Sequence, residues 1–224
     1  VVSAGSCVVA DQAAYWMGQN GFFVYDGRVQ PLRSAVGDFI FENLNVSQRS
    51  KVVGVLNSQF SEVVWFYPST GSTENDSYVS YNYMEGHWQV GTLSRTAGFD
   101  TGTFVYPNYV DATGIIYEHE VGYAYDSDTE VFAESGPIQL GNGDRMMVAK
   151  SLIPDEKTQG DVTATFKTRF FPNGTESSFG PFNMANPTSV RFQGRQVQMR
   201  ITGNTAASWR VGTMRLDVVE GGRR

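Results

Sequence analysis

Two clusters of side chains have the types and spacing that chemistry would need. Glu118-His119-Glu120 follows the apolar pair Ile116-Tyr117. Strand alternation would set both glutamates on one face and His119 on the other, with alternate positions ~6.5–7 Å apart. Two carboxylates so placed can serve as general acid and base on a glycosidic bond; a solvated strand face carries the same pattern. Asp126-Ser127-Asp128-Thr129-Glu130 opens like a calcium loop. Such a loop wants glycine at its sixth position and glutamate at its twelfth, where this chain has Val131 and Pro137. An exposed acidic turn is the simpler reading. Cys7 is the sole cysteine, which excludes an internal disulfide framework and a cysteine-rich zinc site; it reads as a small packed hydrophobe. His87 and His119 are the only histidines. No Gly-x-Ser-x-Gly elbow, phosphate loop or His-Glu-x-x-His motif occurs. The expectation is a protein that is not an enzyme and has no catalytic residue, no metal and no cofactor.

Charge is distributed unevenly. Residues 96–144 contain no lysine or arginine but carry Asp100, Asp111, Glu118, Glu120, Asp126, Asp128, Glu130, Glu134 and Asp144. Residues 191–224 carry Arg191, Arg195, Arg200, Arg210, Arg215, Arg223 and Arg224 against only Asp217 and Glu220. A chain of net charge −6 does not coat nucleic acid indiscriminately, because phosphate contacts need a cationic surface. The arginines suit either an acidic partner or plain exposed strand faces.

The elements that must position these groups are strands. Apolar residues make up 41% of the chain, charged residues 18% and aromatics 13%, which excludes disorder and a coiled coil. No run approaches the ~18 apolar residues of a membrane-spanning helix. Val162, Ala164, Phe166, Thr168 and Phe170 alternate with Thr163, Thr165, Lys167 and Arg169, the pattern of a half-buried antiparallel strand. Tyr78–Tyr83 and Val121–Tyr125 read likewise. Val63-Val64-Trp65-Phe66-Tyr67 is apolar throughout and predicts a strand covered on both faces. Asn20-Gly21, Asp26-Gly27, Asn142-Gly143 and Asn173-Gly174 are hairpin signals, since a type I′ turn needs positive φ at both central residues. Apolar parity flips at Gly194 and again at Gly212, which predicts bulges or tight turns there. Val36, Phe39, Ile40, Phe41 and Leu44 fit one short helix ending near Asn45.

Aromatic strands start near residues 16, 65 and 117, about 50 residues apart. Repeats of three or four strands at ~40–50 residues are the signature of β-propeller blades. About three fit within 1–135, fewer than a closed propeller holds, so an upstream region is expected to supply the rest; an ordinary β-sandwich is the alternative. Residues 136–224 read as antiparallel hairpins, either a separate sandwich or the last strands of the same body. The chain starts at Val1 with no leader pattern and reads as the C-terminal part of something longer. The fold class is all-β with little helix.

Several stretches carry a resemblance. They are Ala14-Tyr15-Trp16-Met17-Gly18-Gln19-Asn20-Gly21-Phe22-Phe23-Val24-Tyr25-Asp26-Gly27, Ser47-Gln48-Arg49-Ser50-Lys51-Val52 and Phe170-Phe171-Pro172-Asn173-Gly174-Thr175-Glu176, then Arg191-Phe192-Gln193-Gly194-Arg195-Gln196-Val197, Trp209-Arg210-Val211-Gly212-Thr213-Met214-Arg215-Leu216-Asp217 and Gly221-Gly222-Arg223-Arg224. Together the chain resembles the C-terminal part of tail-nozzle or tail-tubular proteins of short-tailed phages, the packaged-DNA-stabilising class. The resemblance implies a structural virion protein of the tail. Such proteins form a homo-oligomeric ring, typically hexameric, around the DNA channel, with adaptor and fibre or spike proteins as neighbours. The ring retains the genome and then conducts it, with DNA passing without sequence specificity and no membrane partner. Asp111, Glu118, Glu120, Asp126, Asp128 and Glu130 would line the channel and repel phosphate. Arg191, Arg195, Arg200, Arg210, Arg215, Arg223 and Arg224 would serve subunit or tail-protein contacts. The competing readings are a carbohydrate-binding or adhesive β-domain, with exposed aromatics on one loop face, and a propeller hydrolase that depends on Glu118, Glu120 or Asp126.

Overall fold

A computed structural model describes residues 1–123, 130–140, 145–155, 158–203 and 207–222. The fold is all-β, with one short α-helix and antiparallel pairing in every sheet. By internal contacts the chain divides into two units, Val1–Val121 and Gly122–Arg224.

The first unit holds three sheets whose strand order follows the chain. The first sheet is β1 (Cys7–Ala10), β2 (Ala13–Met17), β3 (Phe22–Tyr25) and β4 (Val29–Leu32). Helix α1 (Gly37–Asn43) follows, with Ile40 fully buried. The second sheet is β5 (Val53–Asn57), β6 (Glu62–Tyr67), β7 (Ser77–Asn82) and β8 (Trp88–Thr92); the third is β9 (Ala97–Phe99), β10 (Asn108–Val110) and β11 (Ile116–Glu118). The first strands of the sheets lie side by side, β1 beside β5 and β5 beside β9.

Each sheet has two faces, which we call front and back. Val8, Ala10, Met17 and Phe22 on the front of the first sheet share a core with Val63, Trp65, Tyr67 and Val79 on the back of the second. Val55, Val64 and Phe66 on the front of the second pack on Tyr109 on the back of the third. Strand β6 is therefore buried on both sides, which is why its sequence is apolar without alternation. The second strand of each sheet carries a back-facing aromatic: Trp16 opposes Cys7, Trp65 opposes Gly54 and Tyr109 opposes Gly98. The third member of the aromatic repeat is thus Tyr109 in β10; Tyr117 lies one strand further on, in β11. At Gly54 a Cβ would run into Val8 and the Trp65 ring, and at Gly98 into Tyr109. These glycines let the rings lie flat over the neighbouring backbone.

The second unit is a two-sheet sandwich. Its strands are β12 (Val131–Glu134), β13 (Ile138–Gln139), β14 (Met147–Pro154), β15 (Val162–Arg169), β16 (Ser177–Asn183), β17 (Thr188–Gly194), β18 (Gln196–Gly203) and β19 (Met214–Glu220). One sheet runs β12-β18-β15-β16, with β13 also on β18, and the other runs β17-β14-β19. The predicted alternation of β15 is realised, with Val162, Ala164, Phe166 and Thr168 buried and the residues between them half-exposed. Val190 and Phe192 point into the core from one sheet, Val197 and Ile201 from the other. The parity flip at Gly194 is the corner where the chain crosses between facing sheets. Its lack of a side chain matters there, because a Cβ would come within 2.9 Å of Thr168.

Several sequence expectations are corrected. Cys7 is exposed, not packed. Val121–Tyr123 is not strand, and Ala124 and Tyr125 lie outside the described residues. The two-residue turn with positive φ at both positions is Asp11-Gln12, between Ala10 and Ala13. Asn20-Gly21, Asp26-Gly27 and Asn173-Gly174 do lie between paired hairpin strands, but not in two-residue turns: the first sits in a four-residue loop between Met17 and Phe22, the second in a three-residue one with Gly27 at φ 112°, and the third in the longer β15–β16 loop. Asn142-Gly143 lies outside the described residues. At Gly212 the chain is irregular ahead of β19, and the amide donates to Thr158 Oγ1 at 3.2 Å. Phe39, expected on the apolar face of the helix, is 58% exposed. The second unit begins at Gly122, so β12 belongs to it.

Candidate functional site

The acidic residues singled out above have different local partners among the described residues. In the β10–β11 turn, Asp111 Oδ1 accepts from the Thr113 amide at 2.8 Å, its hydroxyl at 2.7 Å and the Ile115 amide at 3.0 Å, and Oδ2 accepts from the Tyr117 hydroxyl at 3.1 Å. The Thr113 hydroxyl leads in drawing the carboxyl down to about 2. Asp111 thus organises its own turn. Glu118 ends β11 and is exposed. Glu120 has left the strand at φ 62°, so the expected one-face pair of Glu118 and Glu120 does not exist. Asp126 and Asp128 lie outside the described residues. Glu130, in the second unit, accepts from Arg200 at 2.6 Å.

Glu120 is drawn instead into a polar cluster that local sequence does not announce. Asn57 Nδ2 donates to Glu120 Oε1 at 3.1 Å, and Gln89 Nε2 donates to Glu62 Oε1 at 2.7 Å. Burial and then the Glu120 charge raise the Glu62 carboxyl above its ordinary value; burial raises that of Glu120. Asn57 and Tyr109 are 4% exposed, and neither Asn57 Oδ1 nor the Tyr109 hydroxyl has a partner among the described residues. Burial first, then the charges of Glu120, Asp100 and Glu62, push the Tyr109 phenol well above its usual range. The cluster resists negative charge. No group of three or more His, Cys, Asp or Glu side chains among the described residues is placed to hold a metal ion.

His119 sits beside this cluster. Its ring packs on Tyr109 with centroids 4.2 Å apart, and Arg95 Nε donates to His119 Nε2 at 2.9 Å. Accepting at Nε2 requires the neutral imidazole. Burial, and then the Arg95 charge, depress its pKa to about 4. The Arg95 guanidinium also lies 4.2 Å above the Tyr117 ring. Arg95 is the last cation before the base-free run, and no pattern in the sequence links it to His119.

The arginines are dispersed too. Arg200 bonds Glu130 and Glu134 and lies 3.6 Å above the Phe132 ring. Arg195 lies 5.5 Å from the Phe171 ring. Arg191 on β17 and Arg215 on β19 point outward from the same three-stranded sheet. Arg210 is exposed, its backbone bridged to Gln159. Arg223 and Arg224 lie outside the described residues.

Glu134 joins Arg200 at 2.9 Å to Lys167 at 2.7 Å, and its side chain is 16% exposed. Glu134→Gln takes the carboxylate from Lys167 and leaves Arg200 with Glu130 alone, and is expected to cost about 1–3 kcal/mol, read as a lower urea midpoint. The Lys167 hydrogen bond leads in lowering the carboxyl of Glu134. Its contribution is therefore complete above the unfolded carboxyl value of ~4.3 and fades as pH falls through the lower folded value. Wild type and variant should converge in acid. A gap that persists at pH 2 would refute the ionic origin.

No protein-family model matches the chain, and a search of curated proteins returned no match.

Proposed function

We propose that the chain is a structural protein of a phage tail. In this reading it forms part of a homo-oligomeric ring, a hexamer by the resemblance above, around the channel that retains and then conducts the packaged genome. The three meanders of the first unit are its propeller-type blades. The observation that carries the reading is their stacking: strand order follows chain order, first strands lie side by side, and a back-facing aromatic recurs on the second strand, at Trp16, Trp65 and Tyr109. Three blades fall short of the four to eight of a closed propeller, so further sheets belong to the assembled particle.

The acidic wall narrows in this reading. Glu118 is exposed and without an ion pair among the described residues, free to repel phosphate. Asp111 and Glu120 are partly engaged within their own unit, and Glu130 is offset by Arg200. Of the seven C-terminal arginines, Arg191, Arg210 and Arg215 are the described ones left exposed for adaptor, fibre or spike contacts. Negative-stain electron microscopy of the native gene product, alone and in its source particle, tests the proposal. A ring or short tube with an axial channel, sited at a tail, is the expected image. A dispersed monomer with no place in a particle would refute it.

One observation favours a second reading, an adhesive domain that binds carbohydrate. Phe170 and Phe171, 36% and 58% exposed, line a groove of about 490 Å³ with Thr175, Ser177 and Gln193. Aromatic faces beside short polar side chains suit a sugar ring. Glycan-array binding by the monomer, lost in Phe171→Ala, is the expected result; no binding to any glycan would end this reading.

A further inference from the structure

The back face of the first sheet is bare and apolar. Its two rows across the strands are Cys7–Trp16–Phe23–Pro31 and Val9–Ala14–Tyr25–Val29. None of the eight side chains is charged. Val9 is 68% exposed, Val29 64% and Tyr25 49%, and Cys7 is exposed. Trp16 and Phe23 stack on each other with centroids 5.7 Å apart. A contiguous exposed apolar patch marks a contact.

The rest of the unit indicates what covers it. Trp16 is the back-facing aromatic on its sheet's second strand, as are Trp65 and Tyr109; it is only half-buried, where they are 0% and 4% exposed. Each of those rings is covered by the front face of the preceding sheet. The missing cover for Trp16 is therefore a front face. The chain carries a free one at the other end of the array. The front rows of the third sheet are Ala97–Val110–Ile116 and Phe99–Asn108–Glu118, with Ile116 65% and Phe99 48% exposed.

We propose that the back face of the first sheet docks a second copy of this chain, through the apolar front row Ala97–Val110–Ile116 of that copy's third sheet, with Glu118 left outside the contact. The contact repeats between chains the packing that already joins the sheets within one. It is heterologous, so successive copies close a ring if the rotation closes and extend a filament if it does not. The inference rests on the ring reading above and names its subunit contact.

Cys7, the chain's sole cysteine, lies on the docking face and reports its cover. In the 224-residue chain, sedimentation velocity should show mass rising with concentration to two or more chains. Modification of Cys7 by a thiol reagent should be lost over the same range. Val9→Glu blocks the back face and Ile116→Glu the front, both at exposed positions that leave the core intact, with far-ultraviolet circular dichroism as the check on folding. Each variant alone should stay monomeric. Mixed, they retain one good back face and one good front face, and should form a 1:1 pair that grows no further.

A wild-type monomer with Cys7 equally reactive at every concentration would overturn the proposal. So would association that neither variant changes, or a mixture that does not pair. The two readings fail separately. A tail ring in which Cys7 stays reactive keeps the function and removes this contact. Pairing of the two variants without any tail particle keeps the contact and removes the function.

Discussion

Trp65→Ala should destabilise the protein by about 3–5 kcal/mol, whereas Trp16→Ala, also back-facing on a second strand but one sheet earlier, should cost about 1 kcal/mol. The difference lies in the neighbours. Trp65 is fully buried between sheets, with ring centroids 5.1 Å from Phe22 and 6.2 Å from Trp88, and its Nε1 donates to the Ser6 carbonyl at 2.8 Å. Truncation opens a cavity bounded by rigid rings and takes from that carbonyl the shorter of its two hydrogen bonds, leaving the Met17 amide at 3.4 Å. The flat backbone at Gly54, shaped to take the indole, cannot move in to fill the space. Trp16 is only half-buried and stacked on Phe23, so its truncation opens on to solvent and leaves no enclosed cavity. Urea unfolding of each variant, at concentrations where the chain is monomeric, gives the comparison. Equal costs would mean that the back face of the first sheet is already covered within one chain.

That contrast also shows what sequence can carry. Alternation in Val162–Arg169 and continuous apolarity in Val63–Tyr67 were legible because each records the faces of one strand, a local property. The recurrence of Trp16 and Trp65 was legible for the same reason. The third member slipped to Tyr117 because the unit from Trp65 to Tyr109 is shorter, 44 residues against 49 from Trp16 to Trp65, and a fixed period overshoots. Asp11-Gln12 was missed because the pairing of Ala10 with Ala13 imposes positive φ there. Aspartate tolerates that conformation, and nothing in glutamine announces it. The acidic run was visible as composition, but its roles came from distant partners. Asn57 reaches Glu120, Arg95 reaches His119 and Arg200 reaches Glu130. The first pairing is fixed only when sheets stack, and the other two only when strands distant in the chain pair within one sheet. The acids of the run are therefore divided among a turn, a polar cluster at the edge of buried Asn57 and Tyr109, and an ion-pair network.

Acidification from neutral pH to about pH 4 should cost the first unit about 2–3 kcal/mol through His119 alone, after discounting for its partial exposure. The sign follows from proton counts. An unfolded chain binds a proton on His119 near pH 6.5, whereas the folded one does so only near 4. Between those values the unfolded state holds more protons, so stability falls as pH falls and levels off once both states are protonated. The structural cause is the Arg95 hydrogen bond, which needs the free lone pair of Nε2, together with burial against Tyr109. Glu62 and Glu120 act in the opposite sense. Their raised values make the folded state take up protons first, so their contribution to stability grows as pH falls. The wild-type curve alone mixes the two. His119→Gln separates them, because glutamine offers Arg95 an acceptor and does not titrate. The difference in unfolding free energy between wild type and this variant should be constant above pH 7, move against the wild type between about 6.5 and 4, and flatten below. Parallel curves across that range would mean that His119 is solvated and titrates normally, and that the Arg95 contact does not hold it neutral.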